Sequence, residues 1–309
     1  MKKYKHQRRK ILNIPLIILL STLIGAIMFI LVYQRMKVSP GTPEMRVIVK
    51  SPEKLKAELK IFPTLFITGS SGTPKNNIQH LVKSITADRN NPAKTGLTII
   101  VNTRDKYKVS VSGKVEKENK FPTIIVGMDK GTNDHEIYQY TIKAVMEYLV
   151  SHYNIPWYNI LGYSSAGGGA MRYLINYSQD KNLPPVKKFI ALDGEFNRKG
   201  KLKANETMEN VYQDGPINKS VDYRYFQDNY KKIDKNIEVA LMGLDVPSGA
   251  QFDGVLPWSD LFSVYNLFNK NGNKTERFTL SNARGENYSH GTVWKMPKVQ
   301  HFIEKYFYQ

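Results

Sequence analysis

Ser164 stands inside Gly162-Tyr163-Ser164-Ser165-Ala166, between the apolar run 157–161 and a stretch, 167–177, with helical periodicity. A serine on a strand-to-helix turn is held outward, and it can attack a carbonyl carbon once a base takes its proton. Such a turn is so tight that the residues two before and two after the nucleophile must be small. Gly162 and Ala166 meet that condition for Ser164, whereas Ser165 would require it of Tyr163. The other use of a serine at this place is to cap a helix N-terminus.

A serine hydroxyl becomes reactive when a histidine accepts its proton and a carboxylate fixes the histidine tautomer. On strand-rich α/β frames the chain order is serine, acid, histidine. His290 is the histidine that satisfies it: it follows the short apolar run 278–280 and precedes the last helical segment. His80, His135 and His152 come before the serine, His301 lies within the terminal helix pattern, and His6 belongs to the basic N-terminus. For the acid, Asp245 and Asp253 both fall in the loop after the apolar run 237–244. Asp253, four residues before Pro257, is favoured over Asp245, with Asp193 after the preceding run as a third choice. The oxyanion of a tetrahedral intermediate needs backbone N–H donors, expected from Ser165 and from Ser70 in the Gly69-Ser70-Ser71-Gly72 loop. Gly69 and Tyr163 are expected to border bound substrate.

These groups need a frame that delivers them from loops far apart in sequence. Residues 64–67 read as a strand and 77–86 as a helix with apolar positions Ile78, Leu81, Val82 and Ile85. Residues 96–115 alternate like a hairpin, and 121–126 form a buried strand. Asn133 or Asp134 caps a helix carrying Ile142, Val145, Met146 and Leu149. Runs 186–192 and 237–244 are further strands, and 257–269 and 297–307 are closing helices. Strands alternating with helices predict an α/β fold, a mostly parallel sheet with helices on both faces, and functional loops at the strand C-termini. The polar, tyrosine-rich segment 195–235 is expected as a cap over the site. Its residues Tyr212, Tyr223, Tyr225, Phe226 and Tyr230 hint at an amphipathic acyl or glycosyl ligand.

The 309 residues are 41% hydrophobic and 23% charged, which requires no disorder. Residues 1–10 are a basic segment, and residues 11–33 contain an almost uncharged run long enough to span a bilayer as a helix. The excess of Lys and Arg before that run predicts a cytoplasmic N-terminus, an uncleaved signal anchor in the cell membrane, a stalk over 34–60 and an extracellular domain over 61–309. Of the net charge of +18, the first 37 residues contribute eight positive charges, so an excess of +10 belongs to the remainder. Its lysines are scattered and form no basic-aromatic stripe, which argues against nucleic acid and for a solvated basic surface. The absence of cysteine removes disulfides and thiolate chemistry, and no histidine pair has metal-ligand spacing, so neither a metal nor a cofactor is expected.

The motifs resemble those of the bacterial α/β-hydrolases of the DUF915 group, a group labelled as cell-surface hydrolases, over residues 62–307. Pro63-Thr64-Leu65-Phe66-Ile67-Thr68-Gly69 resembles that family's P-T-x-F-I-H-G. Gly162-Tyr163-Ser164-Ser165-Ala166-Gly167 resembles G-H-S-M-G-G, and Asp253-Gly254-Val255 and Ser289-His290-Gly291 resemble its later motifs. Thr68, Tyr163, Ala166 and Gly291 depart from the family pattern. The resemblance implies an α/β-hydrolase fold with Ser164 as nucleophile, Asp253 as acid and His290 as base; with the apolar N-terminal run, the expectation is a membrane-anchored serine hydrolase cleaving an ester, in preference to an amide, of a small molecule, a lipid or the cell envelope. The competing expectation is an inactive hydrolase fold that binds an anionic envelope polymer or a partner.

Overall fold

The computed structural model of the protein describes residues 59–309 apart from Asn76, Arg89 and residues 283–285. The basic segment, the expected span over residues 11–33 and nearly all of the stalk lie outside the described residues. Among the described residues no helix is long and apolar enough to cross a membrane. Lys60 bridges to Asn154, and the Asn154 N–H donates to the Leu59 carbonyl.

Eight strands form one sheet: β1 (Thr64–Ile67), β2 (Ala93–Asn102), β3 (Lys108–Gly113), β4 (Phe121–Met128), β5 (Tyr158–Tyr163), β6 (Val186–Leu192), β7 (Glu238–Asp245) and β8 (Thr275–Ser281). Their order is β3-β2-β4-β1-β5-β6-β7-β8, and only the β2–β3 pair is antiparallel. That pair is the expected hairpin, with Ile99 opposite Val111 and Val101 opposite Val109; Val115 lies beyond its second arm. β1 and β5 are buried along their whole length, as strands covered on both faces must be.

The pleat sends alternate side chains to two separate cores. Leu65, Ile160, Phe189 and Leu241 enter one, with α2 (His135–His152) and α3 (Ser165–Tyr177) packed over them. Phe66, Leu161, Ile190 and Met242 enter the other, under α1 (Ile78–Ala87) and α8 (Pro297–Tyr308). Local signals explain the helix starts: the Asn77 side chain accepts the Ile78 N–H, and the Asp134 side chain accepts the Glu136 N–H.

Two expectations change. Residues 257–269 are not one helix but α6 (Trp258–Leu261) and α7 (Tyr265–Asn271), separated at Phe262–Val264, all three of which are buried. The segment 195–235 contains α4 (Met208–Asp214) and α5 (Val221–Asn229), and its aromatic residues serve packing. Tyr223 and Phe226 are fully buried in the α3-side core, Tyr225 lies under the Arg172 guanidinium, and Tyr212 lies under Arg277. The segment is tied down at its start by the buried Asp260 carboxylate, which accepts the N–H groups of Phe196, Asn197 and Lys199.

Candidate active site

Parallel strands bring β5, β6, β7 and β8 side by side with their C-termini at one end, so the loops after them converge. Ser164 is the residue between β5 and α3. Its backbone has φ 54° and ψ −128°, a left-handed geometry that costs a non-glycine residue roughly 1–3 kcal/mol. The surroundings hold it there: its N–H donates to the Leu192 carbonyl, and its own carbonyl accepts from the Gly167 and Glu195 N–H groups. A Cβ on Gly162 would lie 2.5 Å from the Ala166 carbonyl oxygen, so the small residue two before the serine is required by the backbone of the turn itself.

His290 opens a short 3₁₀ turn after β8, Asp253 lies in the β7–α6 loop, and the two join Ser164 in one hydrogen-bonded row. The His290 Nδ1 is 2.6 Å from Asp253 Oδ2, and its Nε2 is 2.9 Å from Ser164 Oγ. An ionised carboxylate only accepts, so Nδ1 carries the proton and Nε2 is the acceptor facing the serine hydroxyl. Asp253 Oδ1 accepts the Val255 and Leu256 N–H groups, and the Asp253 carbonyl accepts the His290 N–H, so the acid and the base are also joined through the backbone. Burial disfavours charge on His290, but the hydrogen bond to Asp253 and the charges of Asp253, Asp193 and Glu195 outweigh it and lift the imidazole above its ordinary range. Asp245 is placed elsewhere: its carboxylate accepts the Gly249 and Gln251 N–H groups and closes its own loop.

The remaining expected residues fall around this row. A Cβ on Gly69 would lie 2.9 Å from the Ser164 Cβ, which puts the Gly69-Ser70 loop against the serine. Ser70 is exposed, and Ser165 is the first residue of α3, where the N–H precedes the helical ladder and is free to face a ligand. The Ser165 hydroxyl donates to Glu195 Oε2 at 2.8 Å. Tyr163, expected to border substrate, is instead buried beneath His290: its ring stacks on the imidazole at 5.4 Å and its hydroxyl donates to the His290 carbonyl at 2.6 Å. His135 is fully buried at the start of α2, where burial pulls its pKa down to about 4.

Sequence reasoning passed over Glu195 altogether, because nothing local marks a residue whose partner lies 30 positions earlier. Asp193, Asp253 and His290 offer ligand atoms within 4.8 Å of one another. Both His290 ring nitrogens are engaged, by Asp253 and by Ser164. Such a row can deliver a deprotonated serine oxygen to an electrophilic carbon.

A family model described as an alpha/beta hydrolase of unknown function (DUF915) matches residues 51–309. Among solved structures, the product of gene lin2722 from Listeria innocua superposes with a TM-score of 0.67 at 20% identity, covering 80% of this chain and 93% of that one. A Lactobacillus plantarum WCFS1 protein named "putative cell surface hydrolase" superposes with a TM-score of 0.61 at 13% identity, covering 81% of this chain and 99% of that one. At these identities the likeness is one of fold. Among curated proteins, none matches the chain.

Proposed function

The chain belongs to the DUF915 family of alpha/beta hydrolases, and from its site we propose that it is a serine hydrolase that cleaves esters through an acyl-enzyme. The observation that carries this reading is the row Ser164–His290–Asp253, with 2.9 Å and 2.6 Å separations on a strained strand-to-helix turn. His290 Nε2 takes the Ser164 proton as Oγ attacks the ester carbonyl, and Asp253 stabilises the imidazolium. The N–H groups of Ser165 and Ser70 receive the oxyanion. His290 then gives its proton to the departing alcohol, and water repeats the sequence to free the acid. The depth of burial favours this chemistry, since charge developing in a dry site is stabilised more by fixed dipoles than it would be in water.

The proposal includes the place of action. The apolar run within residues 11–33 anchors the chain, the basic flank holds the N-terminus in the cytoplasm, and the hydrolase domain faces outward. The name of the Lactobacillus plantarum neighbour is consistent with a surface role. An envelope or lipid ester is then the substrate class within reach. The test is labelling of the full chain in intact cells with a fluorophosphonate probe. Labelling lost in both Ser164→Ala and His290→Ala supports the reading; a folded wild-type chain that does not label overturns it.

A further inference from the structure

Asp193 is a second buried carboxyl beside the histidine. It follows β6 with φ 45°, its N–H donates to the Met242 carbonyl, and its Oδ1 accepts the Leu244 N–H at 2.9 Å. Its Oδ2 has no hydrogen-bond partner among the described residues and lies 3.9 Å from His290 Nδ1. A carboxyl kept only to close a strand end would be served as well by asparagine, without the cost of a second acid against Asp253. The unpartnered oxygen faces the nitrogen that Asp253 already holds. The titratable groups around it are His290, Asp253 and the Tyr163 phenol, whose ionisation is opposed by burial first and then by Asp193 and Asp253. Glu195, two residues on, adds its charge at His290.

We propose that Asp193 is a second acid for His290: a positioning residue that supports the imidazolium beside Asp253 and accepts the Nδ1–H when Asp253 cannot. This rests on the serine-hydrolase reading, since the imidazolium matters to turnover only if His290 takes the Ser164 proton. The pair compensates for itself. Burial first, and then the Asp253 charge, push the Asp193 carboxyl above the usual carboxylate range, while His290 and the Leu244 N–H pull it back. Without the Asp253 charge one of the causes that oppose Asp193 ionisation is gone, and a shift of about 1 Å closes the 3.9 Å gap to Nδ1.

The experiment uses the full chain with Asp253→Asn and Asp253→Ala, each with and without Asp193→Asn, and Asp193→Asn alone. Two quantities are read: the rate of fluorophosphonate labelling against pH, and the titration of His290 by NMR of ¹³C-labelled histidine. Each Asp253 single variant should keep labelling within about 10²-fold of wild type, and adding Asp193→Asn should carry the loss toward the roughly 10⁴-fold expected when an acid of this kind is removed outright. Because each comparison is made within one Asp253 background, any folding cost of that substitution cancels. Asp193→Asn alone should lower the His290 titration point. Asp253 variants that label as slowly as their double counterparts, with the same His290 titration, would overturn the proposal. A wild-type chain that does not label defeats the hydrolase reading instead, and the NMR comparison then decides the role of Asp193 by itself.

Discussion

Tyr163 holds His290 from two sides, donating its hydroxyl proton to the His290 carbonyl at 2.6 Å and stacking its ring on the imidazole. The residue immediately before the serine thereby sets the position of the residue that faces the serine oxygen. Tyr163→Phe keeps the ring and removes one buried hydrogen bond. Its expected effect is a fall of about tenfold in the labelling rate of Ser164, from a bond worth roughly 1–1.5 kcal/mol. In steady-state ester hydrolysis the loss should appear in kcat with KM unchanged.

The activity should rise with pH. In the proposed reaction His290 acts as a base only when neutral, and against burial the hydrogen bond to Asp253 and the charges of Asp253, Asp193 and Glu195 raise its pKa. The rising limb of labelling against pH therefore lies above the value of about 6.5 for a free imidazole. Removing the Asp253 charge shifts that limb to lower pH while lowering the plateau. A limb at or below pH 6.5 in the wild type would contradict the electrostatics described for this site.

Ser164→Gly should separate stability from reaction. Glycine accepts φ 54° without strain, so the variant is expected to gain on the order of 1 kcal/mol in unfolding free energy while losing all labelling. Chemical denaturation of the two proteins measures the difference.

Gly69→Ala should act on the serine without touching it chemically. The added methyl would lie 2.9 Å from the Ser164 Cβ and 3.2 Å from the Tyr163 ring, so the loop or the turn has to move. Displacement of about an ångström at such a site costs about 10²-fold in rate. Labelling kinetics beside a melting curve would show whether the loss is local.

Asp260→Ala should loosen the 195–235 segment. It leaves the buried N–H groups of Phe196, Asn197 and Lys199 without their acceptor. The expected loss is on the order of 3 kcal/mol, or about 6–12 °C in melting temperature for a domain of this size. Proteolysis should then cut within the segment first.

Much of the frame was legible because its signals are local. The helical spacing of Ile78, Leu81, Val82 and Ile85 and the alternation of β2 with β3 depend only on near neighbours in sequence. The order Ser164, Asp253, His290 was legible for a different reason, since it reflects how strands succeed one another in the sheet. Choosing Asp253 over Asp245 was a matter of loop path: the two carboxylates differ in whether they accept their own loop's N–H groups alone or also face Nδ1. The aromatic residues of 195–235 read like a ligand surface because composition does not distinguish a buried ring from a lining one. Tyr163 was misplaced because its partner lies 127 residues later, beyond any sequence window.

That separation also orders events during synthesis. His290 comes 126 residues after Ser164 and 37 after Asp253, and it follows the outermost strand of the sheet. A growing chain can complete the serine turn, the two flanking strands and the acid's loop and still lack a base. Until the segment after β8 is made, Ser164 has no imidazole beside it, so the row of three can form only once the last strand of the sheet has been synthesised.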